Sequence, residues 1–152
     1  MSPSAHGWFE PRWRSRRGAG LSGWPTAGAE ELCAVVGGLL NGWEPDPECE
    51  TENDFARNLI DWLDVDSEWE IEVSPSTREG KPDILIGDLL AVELKCHPTK
   101  GVLDRALGQF AVHSRQWMTW VVLIDATASE VGRLQDLLAD KGLEQIKVWR
   151  LA

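Results

Sequence analysis

"KPDILIGDLLAVELK", residues 81–95, decides the fold. Two short apolar runs flank Gly87-Asp88-Leu89, the pattern of a β-hairpin. With the turn centred on Asp88, Ile84 lies opposite Val92, Ile86 opposite Leu90, and Asp83 opposite Glu93. Side chains alternate faces along a strand. One face therefore collects Ile84, Ile86, Leu90, Val92, Leu94 and Cys96, and the other Asp83, Leu85, Ala91, Glu93 and Lys95. A register slipped by one residue mixes the two faces, so the apolar pattern itself selects this pairing.

Directly opposed residues hold their Cβ atoms ~5 Å apart. Two carboxylates that close repel each other unless positive charge lies between them. Lys95 stands two residues along on the same face, but one ammonium does not satisfy both acids. A divalent cation does, and Mg²⁺ is typically held by one or two carboxylates together with substrate phosphates. A surface Asp–Lys–Glu cluster without chemistry is the competing account of this triplet. Leu85 and Ala91 on the same face weigh against it, because they imply a covered surface where unpaired charge is expensive.

Outward from the hairpin, "TENDFARNLIDWL" repeats apolar residues at Phe55, Leu59, Trp62 and Leu63, a helical stripe capped by Thr51. "EWEIEV" alternates as a strand, with Trp69, Ile71 and Val73 on one face and Glu68, Glu70 and Glu72 on the other. Residues 102–117 read as a helix with Leu103, Leu107, Phe110, Ser114 and Trp117 inward. Arg105, Gln109, His113 and Gln116 form a polar stripe on it. "WVVLID" is a continuous apolar strand, buried on both faces. Thr127 and Glu130 form a capping box for a helix through Val131, Leu134, Leu137 and Leu138, ended by Gly142. "IKVWRL" closes the chain as a strand. The order is helix, three strands, helix, strand, helix, strand: an α/β chain of the mixed, α+β-sheet kind.

Residues 1–47 read as an N-terminal extension: a loose stretch over 1–28, rich in Gly, Pro, Ser, Arg and Trp, then a short helix over 29–41. Arg12, Arg14, Arg16 and Arg17, with Trp8 and Trp13 nearby, are placed to touch nucleic acid or to form a solvated arm. Residues 48–152 form the main domain. Hydrophobic residues make up 43% and charged residues 26% of the 152, which is globular composition. No apolar run reaches the ~18 residues of a membrane span, and the N-terminus lacks the apolar core of a secretory signal. Cys33, Cys49 and Cys96 lack C-x-x-C spacing, so reduced thiols in a cytoplasmic protein are expected. The formal charge is −10, concentrated in residues 44–72, where twelve Asp or Glu face Arg57 alone. Such a chain does not grip nucleic acid by phosphate neutralisation alone and needs a metal, a local basic patch or a partner.

With Pro82-Asp83 and Glu93-Leu94-Lys95 on a hairpin behind an acid-bearing helix, the chain resembles the PD-(D/E)XK nucleases, which share the restriction-endonuclease-like fold. The resemblance covers residues 51–152. It implies an αβββαβ core, here with an extra C-terminal helix and strand, and hydrolysis of phosphodiester bonds, in DNA before RNA. It further implies that Asp83 and Glu93 bind Mg²⁺ or Mn²⁺, with the carbonyl of Leu94 as a further ligand, and that Lys95 orients or deprotonates the attacking water. Glu52 best matches the family's helix acid, with Glu48 and Glu50 as competitors. Several branches carry G-Q-x-x-x-Y on the helix after E-x-K; Gln109 fits, while His113 stands where the Tyr would be. His97 could reach the scissile phosphate or simply end its strand. A homodimer, membership of a larger assembly, and a non-catalytic nuclease-fold module for nucleic-acid binding or assembly all remain open at this point.

Overall fold

The hairpin folds in the register its apolar pattern dictates. In a computed structural model that describes residues 27–64, 69–73 and 81–151, β2 (Ile84–Ile86) pairs antiparallel with β3 (Leu90–Cys96), setting Ile84 against Val92 and Ile86 against Leu90. Gly87 and Asp88 both take positive φ (62° and 58°), and the Leu89 N–H closes the turn onto the Ile86 carbonyl at 3.0 Å. That is the mirror-image turn whose twist matches flanking strands, and Gly and Asp are residue types that tolerate it.

The remaining elements follow the expected order. They are α1 (Ala27–Asn41), α2 (Glu52–Asp64), β1 (Ile71–Val73), then the hairpin, α3 (Lys100–Ser114), β4 (Met118–Ile124), α4 (Ala128–Asp140) and β5 (Lys147–Leu151). One five-stranded sheet results, in the order β1-β2-β3-β4-β5. β2 runs antiparallel to both its neighbours, and β3, β4 and β5 are mutually parallel. Every residue of β4 is buried, as its unbroken apolar run requires of a central strand covered on both faces.

Two apolar layers sandwich the sheet. On one face Ile84, Ile86, Leu90, Val92 and Leu94 pack with Trp120 and Val122 against Leu32 and Val36 of α1 and Leu59 and Leu63 of α2. On the other, Val121 and Leu123 meet Leu103, Leu107 and Phe110 of α3 and Leu134 and Leu138 of α4. The N-terminal boundary needs correction here. Far from being appended to a domain over 48–152, α1 buries Ala29, Leu32, Val36 and Leu40 in the same core as the hairpin. The Arg- and Trp-rich stretch with Arg12, Arg14, Arg16 and Arg17 lies outside the described residues, as does Glu68.

The ends of the helices are fixed by local chemistry. Thr51 Oγ1 accepts from the Asp54 N–H, and the Asp54 carboxylate accepts from the Glu50 and Thr51 N–H groups. Thr127 and Glu130 make the reciprocal capping box. Past α4, Gly142 at φ 72° lets its own N–H reach Ala139 O and the Leu143 N–H reach Leu138 O, a Schellman C-terminus. Helix α3 starts at Lys100, two residues earlier than its periodicity indicates, because Thr99 caps it through the Val102 N–H. It ends at Ser114, and Arg115 and Gln116 turn the chain into β4.

Candidate functional site

The polar face of the hairpin is covered rather than open. Leu85 and Ala91 form a small apolar cluster with Trp117, and Glu93 is only 3% exposed. One residue beyond the last hairpin pair, the register sets Asp83 against Glu93. The Asp83 carboxylate accepts from the Leu94 N–H at 2.8 Å. Burial pushes the Asp83 carboxyl up to about 6, the Leu94 N–H opposing and the negative charge of Glu93 adding to it; Lys95 opposes and Glu52 adds. Lys95, half-buried on β3, supplies the compensating positive charge.

Glu93 has a partner that the polar stripe of α3 concealed. Its Oε2 is hydrogen-bonded to Nδ1 of His113, both side chains being almost fully buried. The His113 ring also stands edge-on to Trp117, centroids 5.9 Å apart. His113 therefore faces inward and is no part of a solvated stripe. The signal was present in the sequence: Phe110, His113, Ser114 and Trp117 recur at core spacing, three, four and seven residues apart. Gln109, one turn earlier and expected to face the site, is exposed, as is Arg105. The polar residues that α3 buries are His113 and Ser114 instead.

Of the three candidate helix acids, the structure brings Glu52 to the hairpin. Its Oε2 accepts from the Cys96 N–H at 3.2 Å, across 44 residues of sequence. Glu48 and Glu50 are exposed in the segment before α2. Burial, reinforced by the charges of Glu52, Asp125 and Asp83, pushes the Cys96 thiol up to about 12. Glu52, Asp83 and Asp125 thus share one neighbourhood around the end of β3. This is the carboxyl edge of the parallel strands, where open α/β sheets bind ligands. Helices α3 and α4 both start from this edge, directing their N-terminal dipole ends to it.

The donor set is one of hard oxygens, the kind Mg²⁺ and Mn²⁺ take. Each acid already gives one oxygen to a protein donor: Asp83 to Leu94, Glu93 to His113, Glu52 to Cys96. Among the described residues, no group of three or more His, Cys, Asp or Glu stands in an arrangement that could hold a metal ion. Comparison with family models, curated proteins and solved structures gives no match to this chain.

Proposed function

We propose that the chain is a divalent-metal-dependent nuclease of the PD-(D/E)XK type that hydrolyses phosphodiester bonds in DNA, as a structure-selective or defence-type endonuclease. The observation that carries this is the company Asp83 keeps. A desolvated carboxylate faces Glu93 across the hairpin, with Lys95 two residues on and Glu52 tied to the same strand end. A strongly perturbed acid with further carboxylates beside it near the carboxyl edge of a parallel sheet is the mark of a working site. Support also comes from the order α2-β1-β2-β3-α3-β4, which is the αβββαβ order the resemblance implies, with α4 and β5 added.

Asp83 and Glu93, with the Leu94 carbonyl, would hold Mg²⁺ or Mn²⁺, and Glu52 is the third acid of the set. When bound, such an ion supplies Lewis acidity and positive charge at the phosphate. The protein's own groups do the rest. The ammonium of Lys95 orients the attacking water and adds positive charge where negative charge develops at phosphorus. His113 fixes the orientation of Glu93. Helices α3 and α4 direct the positive ends of their dipoles toward an anionic substrate.

Purified protein with Mg²⁺ or Mn²⁺ should cut DNA, and Lys95→Ala should abolish cutting with the circular dichroism spectrum unchanged. Cutting that survives Lys95→Ala, or survives EDTA, removes the mechanism. A non-catalytic nuclease-fold module is the second reading, favoured by the net charge of −10 and by the lack of a gathered three-acid group among the described residues. Calorimetric titration with Mn²⁺ separates the two. Binding that disappears in Asp83→Asn belongs to the enzyme, and no binding with DNA present belongs to the module.

A further inference from the structure

Among the described residues three that are not glycine take positive φ: Asp88, His97 and Asp125. The hairpin turn accounts for Asp88. The other two form a pair. Cys96 and Ile124 are the last partners in the β3–β4 register, so His97 and Asp125 occupy the next rung, just beyond the carboxyl ends of adjacent parallel strands. Each is clamped there by its backbone. The His97 N–H donates to Ile124 O at 2.9 Å, and the Asp125 N–H donates to Leu151 O at 2.8 Å. Their φ values are 47° and 61°, and the side chains meet with Nδ1 of His97 2.9 Å from Oδ2 of Asp125.

Stability does not explain this arrangement. The two side chains are 66% and 64% exposed, and an exposed ion pair contributes little. Left-handed backbone at two adjacent non-glycine positions costs more than such a pair returns. Strain of this kind collects at ligand sites, where the surrounding structure over-determines it. The place agrees. His97 lies between Lys95 and Thr99, the cap of α3, with Lys100 next along the chain, and Asp125 lies two residues before Thr127, the cap of α4. With Nδ1 held by Asp125, the ring nitrogen left for a ligand is Nε2. The donors converging on the edge call for an anion.

We propose that His97 is a substrate-binding residue that donates from Nε2 to a non-bridging oxygen of the DNA backbone, and that Asp125 is its positioning residue. As an imidazolium, His97 donates from both nitrogens, one to each acceptor. The proposal deepens the nuclease reading and rests on it for the identity of the anion. It adds a contact on the far side of Lys95 from Asp83 and Glu93.

The test uses the full chain and a duplex of about 20 base pairs, with Ca²⁺ replacing Mg²⁺ so that binding is measured without cutting. His97→Gly and Asp125→Gly remove the side chains and relieve the backbone together, so both variants should melt no lower than wild type. His97→Gly should lose about tenfold in DNA affinity, the loss of one charge-assisted hydrogen bond. Asp125→Gly should lose less, and the double variant no more than His97→Gly alone, as expected of a residue that acts through its partner. His97→Asn, which tolerates left-handed backbone and keeps a donor, should recover part of the loss. The His97 ring resonances of wild type should shift on adding the duplex. Unchanged affinity in His97→Gly, additive losses in the double variant, or wild-type protein that binds no duplex would each overturn the proposal. Wild type that binds through His97 yet cuts nothing with Mg²⁺ or Mn²⁺ defeats the nuclease reading and leaves the contact standing. Wild type that cuts while His97→Gly binds equally does the reverse.

Discussion

Among the carboxylates of the described residues, Asp83 carries the clearest electrostatic signature. Its carboxyl titrates at about 6 in the fold and near 4 in an unfolded chain. Between those two values the folded state binds more protons than the unfolded, so its contribution to stability falls as pH rises through that window. At pH 8 without divalent ions the ionised group then costs on the order of 2 kcal/mol. Asp83→Asn keeps an acceptor for the Leu94 N–H and removes the charge. It should raise the melting temperature by roughly 4–8 °C at pH 8 and by almost nothing near pH 4, as read by calorimetry in EDTA. An equal gain at both pH values would show that the effect is steric. The thiols give a second check at this scale. Burial holds Cys33 up at about 11 and Cys96 at about 12, and thiolate is the reactive form. Cys49 is half-buried and raised as well, by desolvation first and then by the charges of Asp46 and Asp54, but to a smaller extent than the other two. A disulfide-exchange reagent at pH 8 should therefore titrate one thiol ahead of the other two, and Cys49→Ser should remove that first phase.

Among the elements, α1 shows how much a core helix can look like a tail. Leu32 is fully buried on it, against the same cluster as Ile84 and Val92. Leu32→Ala should destabilise the fold by about 3 kcal/mol in denaturant melts, the usual loss for a buried leucine; a neutral result would mean that α1 packs loosely. The capping box of α4 is smaller and more local, and Thr127→Ala should remove about 1 kcal/mol. The hairpin, by contrast with α1, was legible to the residue. A period of two over an apolar run leaves one register that keeps Ile84, Ile86, Val92 and Leu94 together, and that register then sets Asp83 against Glu93. α4 was equally legible, because Thr127, Glu130 and Gly142 mark both its ends. Of α1 the helix over 29–41 was legible but its burial was not, since Gly37 and Gly38 interrupt its apolar pattern and its Gly- and Pro-rich flanks resemble a linker. The pairing of His113 with Glu93 and of Glu52 with Cys96 was hidden for a different reason. Those contacts join elements 20 and 44 residues apart, and no local period encodes which helix face lands on which strand end. His113 shows the ambiguity directly, being four residues from exposed Gln109 and three from buried Phe110.

For the molecule as a whole the proposed function raises a difficulty of charge: a nuclease of −10 would have to hold a polyanion. Residues 44–72 repel a phosphate backbone, and at ~0.15 M salt that repulsion is screened beyond about 8 Å. A duplex can therefore be accepted on one side provided the acidic segment faces away. α2 covers one face of the sheet and α3 the other, so the exposed surface of α3 is turned from most of those acids. That surface presents Lys100, Arg105 and, just past the helix, Arg115, all exposed. It begins at the same strand edge as Lys95 and His97. A duplex lying along α3 would thus meet positive charge and reach Lys95 and His97 at the start of the helix. Lys100→Glu with Arg105→Glu should weaken DNA binding and flatten its dependence on salt, because fewer counterions are released per complex; each lost phosphate contact lowers the slope of log affinity against log salt by about 0.9. Neither residue is buried, so the melting temperature should hold. If affinity and slope are unchanged while deletion of residues 1–20 abolishes binding, the N-terminal arginines carry the duplex and α3 is not its docking face.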